Sequence, residues 1–341
     1  MESLALKYRP HDWDDLVEQS STKTILEQQL NTGTFKQAYL FVGPAGTGKT
    51  TSARIFANKI NNQKGTPIEI DAASHGNVDD IRELSVQAKL KPLEGDYKIF
   101  IIDECHCLSS AGWSAMLKLI EEPPVTAIFI FCTTDVQKVP KTIMSRCQRF
   151  DFQRISQEKI KDRLLYILEK ENFDGWEEEG VEYIAKLADG GMRDAITMLD
   201  KCLDYNSFLS MENVIQALGA VDYDFMIDLT NAVIAMDQKQ IIEIIEHIHA
   251  KGKDLKLFVK RYIQFLLDIK KWSIGCAWRY MQLPKLNTYE EWLRNIKKWD
   301  TVHNLFEVMV KLSADIKYSS SPRYDIEAAL LLIGDEDDRA E

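Results

Sequence analysis

Hydrophobic periodicity divides the chain into two parts. Up to about residue 155, short apolar runs alternate with stretches that carry apolar residues at helical spacing. The runs are QAYLFVG (37–43), PIEIDA (67–72), YKIFIIDE (97–104) and AIFIFCTT (127–134). A further short strand is read in QRFDF (148–152), after KTIMSRC. The runs are rich in Ile, Phe and Val and nearly continuous in apolar character, as expected of parallel strands covered on both faces. Strands that alternate with helices argue an α/β domain built on a parallel sheet. The ends of the four runs carry Gly43, Asp71, Asp103 and Thr134. Open α/β sheets bind ligands beyond the carboxyl ends of their strands, so these four positions point to one site.

From about residue 156 the strands stop. SQEKIKDRLLYILEKEN (156–172) opens on a serine and holds a helical pattern; EEGVEYIAKLADGGMRDAITMLDKCLDY (178–205) reads as two helices broken at Gly190 and Gly191. SMENVIQALG (210–219) is a short helix stopped by Gly219, and beyond residue 222 the pattern is helical throughout, most clearly in 241–252 and 255–272. The expected domains are therefore 1–155 (sheet), 156–221 (small helical), 222–333 (all-α) and an acidic, solvated tail at 334–341. Residues 272–299 hold Trp272, Trp278, Trp292 and Trp299, which are read as helix packing rather than as a platform for stacking bases.

Composition changes this picture little. The chain has 341 residues, 45% of them hydrophobic and 28% charged, and no apolar run approaches the ~20 residues that span a bilayer. The start, MESLALKYRP, is not a secretory signal. A net charge of −11 argues against coating nucleic acid with the whole surface and leaves room for a local basic stripe. The six cysteines (105, 107, 132, 147, 202 and 276) form no C-x-x-C pair and are read as free thiols of a reducing compartment. Cys105-His106-Cys107 has the spacing of no common zinc module, and His247 and His249, two apart on a helix, point to different faces.

The chemistry concentrates at the strand ends. GPAGTGKT (Gly43, Pro44, Ala45, Gly46, Thr47, Gly48, Lys49, Thr50), followed by Thr51, fits G-x-x-x-x-G-K-[ST] between a strand and a helix. Glycines let backbone N–H groups wrap phosphate oxygens, and the helix N-terminus adds positive potential. Lys49 is expected to reach the β- and γ-phosphates, and the Thr50 hydroxyl to bind Mg²⁺. Asp103 is the expected outer ligand of that ion, and Glu104 the group that orients the attacking water. Thr133, Thr134 and Asp135 end another strand, where a hydroxyl could meet the γ-phosphate. KTIMSRCQRFDF (141–152) adds Arg146 and Arg149, and a planar, permanently charged guanidinium suits phosphate oxygens. An in-chain salt bridge is the alternative for Arg146.

The order of these motifs resembles the AAA+ ATPases of the clamp-loader clade, and within it the bacterial DNA polymerase III gamma/tau family. The residues that carry the resemblance are LALKYRPHDWDDLVEQ (4–19), AYLFVGPAGTGKTTSARIFAN (38–58), IEIDAASHGNVDDIREL (68–84), IIDECHCLSSAGWSAMLKLIEEPP (101–124), TTDVQKVPKTIMSRCQRFDF (133–152) and GGMRDAITMLD (190–200). The resemblance implies a helical lid at 156–221 and a collar-type helical domain for oligomerisation at 222–333. It implies that Tyr8, Arg9, Pro10 and Val17 cup the adenine, that Thr134 is the sensor near the γ-phosphate, and that Arg193 reaches ATP from the lid of the same chain. It assigns Arg146 to ATP held by a neighbouring subunit; Arg149 has no such match and is read as a structural ion-pair partner. The implied cofactors are ATP and Mg²⁺. The implied partners are other subunits of a pentameric hetero- or homo-oligomer, a sliding clamp, and primer–template DNA held through its phosphates. No membrane is implied, and the setting is the cytoplasm of a bacterium or of a phage-infected host.

Only NNQKGTP (61–67) stands where the family commonly carries a four-cysteine module, so no zinc is expected. The long C-terminal extension of the tau form is likewise not expected to act here. Candidate DNA contacts are the helix start near Asn77, with Arg82, Lys89 and Lys91; a solvated charged face is the alternative. Trp113 and Met116 are candidates for the clamp, with packing on the sheet as the alternative. Three other functions compete with a loader motor: a nonhydrolysing scaffold subunit, a branch-migration helicase motor, and a small-molecule kinase.

Overall fold

The structure, a computed structural model, describes residues 2–218, 223–250, 252, 254–283 and 287–334. The expected helix stop at Gly219 and the acidic residues 335–341 lie outside the described residues. The chain forms two compact units that divide between Leu209 and Ser210, so the helix Met211–Leu218 falls in the second.

The first unit is organised by five parallel strands: β1 (Ala38–Val42), β2 (Ile68–Asp71), β3 (Lys98–Asp103), β4 (Ala127–Thr133) and β5 (Gln148–Asp151), in the order β2-β3-β4-β1-β5. Successive side chains point to opposite faces, and both faces are covered. Leu40, Val42, Phe100, Ile102, Phe129 and Phe131 pack with Ile81 and Leu84 of the helix Val78–Lys89 and with Trp113 and Met116 of the helix Ser110–Glu121. Tyr39, Phe41, Ile99, Ile101, Ile128 and Ile130 pack with Leu26, with Trp13 and with Phe56 of the helix Lys49–Ile60. This double burial is why the runs of β1, β3 and β4 show no polar alternation, whereas the edge strand β2 alternates Ile68 and Ile70 with exposed Glu69 and Asp71. Trp113 and Met116 are 6% and 0% exposed, so packing on the sheet accounts for both.

Register fixes the site. Asp71 pairs with Asp103, and Val42 pairs with both Thr133 and Asp151, so the strands end level at one edge. Three lid helices follow in the same unit: Gln157–Lys170, whose first turn is capped by Ser156, then Glu178–Leu187 and Met192–Tyr205.

Every regular element described in the second unit is helical, and its core gathers Met226, Leu229, Ile245, Tyr262, Phe265, Leu305 and Met309. Trp272, Trp278, Trp292 and Trp299 pack against it, Trp272 stacking on Trp299. Asp268, 1% exposed, is balanced by Lys271 at 3.0 Å and by the backbone N–H groups of Gln282 and Leu283. That is how a carboxylate is retained in a core without being a site. His247 and His249 are both exposed.

Candidate nucleotide site

The loop 43–48 joins β1 to the helix Lys49–Ile60, and close approach dictates its glycines. A Cβ at Gly43 would lie 2.4 Å from the carbonyl oxygen of Phe152. Gly46 has φ +71° and its carbonyl accepts from the Met192 N–H at 2.9 Å; a Cβ there would stand 3.0 Å from Cα of Gly191. The phosphate-type loop therefore touches the first turn of the last lid helix. The helix Lys49–Ile60 begins after Gly48, which supplies no side-chain cap, so its first N–H groups remain available to an anion.

Lys49 is 6% exposed, and its ammonium donates to the carbonyls of Gly43 (2.9 Å) and Pro44 (2.7 Å). Burial pushes its pKa below the usual lysine value. A phosphate next to Lys49 would offset that desolvation with a full opposite charge. The Thr50 hydroxyl donates to Oδ2 of Asp103 at 2.8 Å, which brings together the two expected metal-ligating groups, 53 residues apart. Glu104 follows in left-handed backbone (φ +44°, ψ 42°), uncommon for a residue with a side chain and costly to hold. Its N–H donates to Oδ1 of Asp103 at 3.0 Å, which fixes the turn. Its carboxylate accepts from the Thr134 hydroxyl at 3.2 Å and lies 3.3 Å from Nδ1 of His106, itself 3.1 Å from the hydroxyl of buried Thr133.

A cavity of about 490 Å³ opens over this edge. Its floor is Ala45 to Thr51 with Asp103 and Glu104, one wall is Tyr8, Arg9, Pro10 and Val17, and the lid contributes Arg163 and Arg193. Burial, then Arg54 and Arg193 nearby, lowers the pKa of Arg9, the mark of cations gathered round one space. The charge, the loop and the paired Thr50 and Asp103 fit a triphosphate with a divalent cation. Gly43, Pro44 and Thr134 do not line the cavity; the carbonyls of Gly43 and Pro44 accept from Lys49, and the Thr134 hydroxyl donates to Glu104.

Arg146 does not line the cavity. It pairs with Glu121 at 2.8 Å and donates to the Thr142 carbonyl at 2.9 Å, with 39% of its side chain exposed. Arg149 makes a two-pronged pair with Asp151. Cys105 is buried and Cys107 exposed, so the two thiols face different surroundings. No group of three His, Cys, Asp or Glu suited to a metal ion occurs among the described residues. The helix start near Asn77 is already served: the Asn77 side chain accepts from the N–H groups of Asp79 and Asp80, while Arg82 pairs with Asp79.

Some cavity residues have no role assigned from sequence. Arg163, Thr197 and Asp200 line it from the lid; Arg163 reads only as the polar side of an amphipathic helix, and Thr197 and Asp200 stand within GGMRDAITMLD with no role of their own. Gln19, which does not line the cavity, supports it from outside: its side-chain amide donates to the Gln153 carbonyl (2.7 Å) and accepts from the Gln153 N–H (3.1 Å), tying the segment after Val17 to the end of β5.

Family models match the chain from residue 66 onward. A model described as "DNA polymerase III, delta subunit" matches residues 66–156, one described as "DNA polymerase III clamp loader subunit, ATPase lid domain" matches 159–206, and one described as "DNA polymerase III subunits gamma and tau domain III" matches 209–335. The gamma subunit of Buchnera aphidicola is 31% identical over 353 residues, covering 97% of this chain and 98% of that protein. The chain belongs to the DNA polymerase III gamma/tau family. The tau subunit of Bacillus subtilis is 33% identical over 96% of this chain, and that of Escherichia coli 34% identical over 73%. The chain spans only 62% and 42% of those two tau subunits. Among solved structures, the Thermotoga maritima RuvB Holliday junction branch migration motor superposes with a TM-score of 0.53 over 67% of this chain and 79% of that one, at 20% identity. At that identity the likeness speaks for the fold: the sheet and lid are the AAA+ ATPase architecture that gamma/tau chains share.

Proposed function

We propose that the chain is an ATP-driven clamp-loader motor subunit, which helps open a sliding clamp and place it on primed DNA. The observation that carries this is the meeting of Lys49, the Thr50–Asp103 pair and Glu104 on the floor of one cavity, under a lid that contributes Arg193. On this reading Ala45 to Thr51 hold the phosphates, and Tyr8, Arg9, Pro10 and Val17 hold the adenine. Thr50 and Asp103 would hold Mg²⁺, which neutralises phosphate charge when bound.

The chain's own part in hydrolysis is then defined. Glu104 orients a water and takes its proton as the water oxygen bonds to the γ-phosphorus and the bond to the β,γ-bridging oxygen breaks. Thr134 and His106 hold the Glu104 carboxylate until nucleotide arrives. Arg193 reports the γ-phosphate to the lid. Arg146, outside its own cavity, serves the nucleotide of the next subunit, so that cleavage depends on assembly. The lid (156–209) transmits the nucleotide state and the helical unit from Ser210 onward joins the subunits as a collar, pentameric as homo- or hetero-oligomer. DNA is gripped by its phosphates. The setting is the cytoplasm of a bacterium or of a phage-infected cell; no described helix is long and apolar enough to cross a membrane.

Turnover measured alone, with candidate partner subunits, with clamp, and with clamp and primed DNA tests the reading. A motor subunit speeds up when clamp and DNA are both added. A rate independent of both points to a kinase-like enzyme, and no turnover in any mixture points to a scaffold.

A further inference from the structure

The first part of the wall that faces the proposed base is tied to the lid rather than to the sheet. Leu4, Lys7 and Tyr8 are bonded to it. The Leu4 N–H donates to Asp200 of the last lid helix at 3.1 Å. Lys7 donates to Oε1 of Glu171 at 2.7 Å, and the Tyr8 hydroxyl donates to the same oxygen. Arg163 donates to the Tyr8 carbonyl at 3.2 Å while its guanidinium lies 4.9 Å over the Tyr166 ring, which meets the Tyr8 ring in a T-shaped contact with centroids 6.4 Å apart. Two residues beyond Pro10 the allegiance changes. Asp12 pairs with Lys59 at 2.9 Å, Trp13 is buried against the sheet, and Gln19 is tied to Gln153. The strap crosses from lid to sheet at Pro10 and His11, beside the cavity.

Glu171 stands at the end of the lid helix Gln157–Lys170 and does not line the cavity. One of its oxygens nonetheless holds two consecutive strap residues, Lys7 and Tyr8. We propose that Glu171 is a positioning residue that latches residues 7–8 to the lid and so sets affinity for the base of the nucleotide, separately from its phosphates. The proposal rests on the nucleotide reading of the cavity. Charge-assisted hydrogen bonds are the strong ones, and a latch of two on one carboxylate holds the strap in its base-facing place. With the latch cut, the strap spends part of its time elsewhere, and apparent affinity falls by the fraction of chains still assembled. The phosphate floor, built from the loop 43–48 and Lys49, is untouched.

The test is calorimetric titration of the full chain with two probes, a slowly hydrolysed ATP analogue and inorganic tripolyphosphate, each with Mg²⁺. Glu171→Ala is expected to weaken the analogue about tenfold, ~1.4 kcal/mol, and to leave tripolyphosphate unchanged. Glu171→Gln, which keeps a neutral acceptor for Tyr8 but loses the charge and the Lys7 pair, recovers only part of the loss. Tyr8→Phe, which keeps the ring and removes only the hydroxyl, weakens the analogue in the same direction and decides the matter if Glu171→Ala does not fold. Equal weakening of both probes by Glu171→Ala, or no weakening of the analogue, overturns the latch while wild-type binding leaves the site reading standing. A wild-type chain that binds neither probe removes the site reading, and the latch with it.

Discussion

Two arginines of this chain sit in opposite circumstances. Arg193, at the start of the last lid helix, lines the cavity of its own chain, next to a turn whose Met192 N–H touches the phosphate-type loop. Arg146, after β4, lies off the cavity and is occupied by Glu121 and the Thr142 carbonyl at an exposed rim. Residue type is the same and both follow from short motifs; position relative to the floor differs. A cation placed by the fold above the floor can act in cis. A cation on the rim, with a weak exposed partner, is available to another molecule. The contrast leads to the proposal of shared ownership: one protomer holds the triphosphate, and the next completes its charge.

The comparison can be broken or sharpened in steps of decreasing size. Within one protomer the floor should dominate: Glu104→Gln is expected to lower turnover by about two to four decades while nucleotide still binds, read by steady-state rate against equilibrium binding. If the rate survives, the water is oriented elsewhere. Arg193→Ala should cost about tenfold in nucleotide affinity, the scale of a lost hydrogen bond to a charged group, and should do so in isolated and assembled protein alike; a loss seen only after assembly would move Arg193 to the interface class. Glu121→Ala frees Arg146 from an exposed pair worth about 0.2–1 kcal/mol and should raise assembled turnover by no more than a few fold. A fall in turnover would show that Glu121 aligns Arg146 rather than occupying it.

The smallest effect is in pH. Burial lowers the folded pKa of Lys49 while the unfolded chain keeps the ordinary lysine value, so between the two the unfolded state binds more protons and stability rises with pH. Thermal unfolding of the nucleotide-free protein should show that alkaline rise, and Lys49→Met should flatten it. An unchanged slope would mean that Lys49 is not the group responsible.

Much of this was readable from residues alone because the readable parts are local. A strand buried on both faces writes its apolar run into consecutive positions, and 43–50 declares its own turn and helix. What could not be read depends on partners far away in the chain. Trp113 and Met116 read as surface anchors or as packing on the sheet, and only Phe131 and Ile81 placed beside them decide for packing. The N–H groups near Asn77 look free until the Asn77 side chain caps them. Gln19 and Gln153 are 134 residues apart, Tyr8 and Glu171 are 163 apart, and no periodicity connects either pair. The phosphate loop was local and legible; the strap was read only through the family resemblance, and its attachment to the lid was tertiary and silent.

Shared ownership is tested most directly by the gain in turnover on assembly, measured for the wild-type chain and for Arg146→Ala under the same conditions, with clamp and primed DNA present. The account predicts a slow isolated protomer, an acceleration of about three to five decades on assembly, and loss of that acceleration in Arg146→Ala with nucleotide still bound. An isolated protomer that already turns over at the assembled rate, or an Arg146→Ala assembly that accelerates as the wild type does, contradicts it.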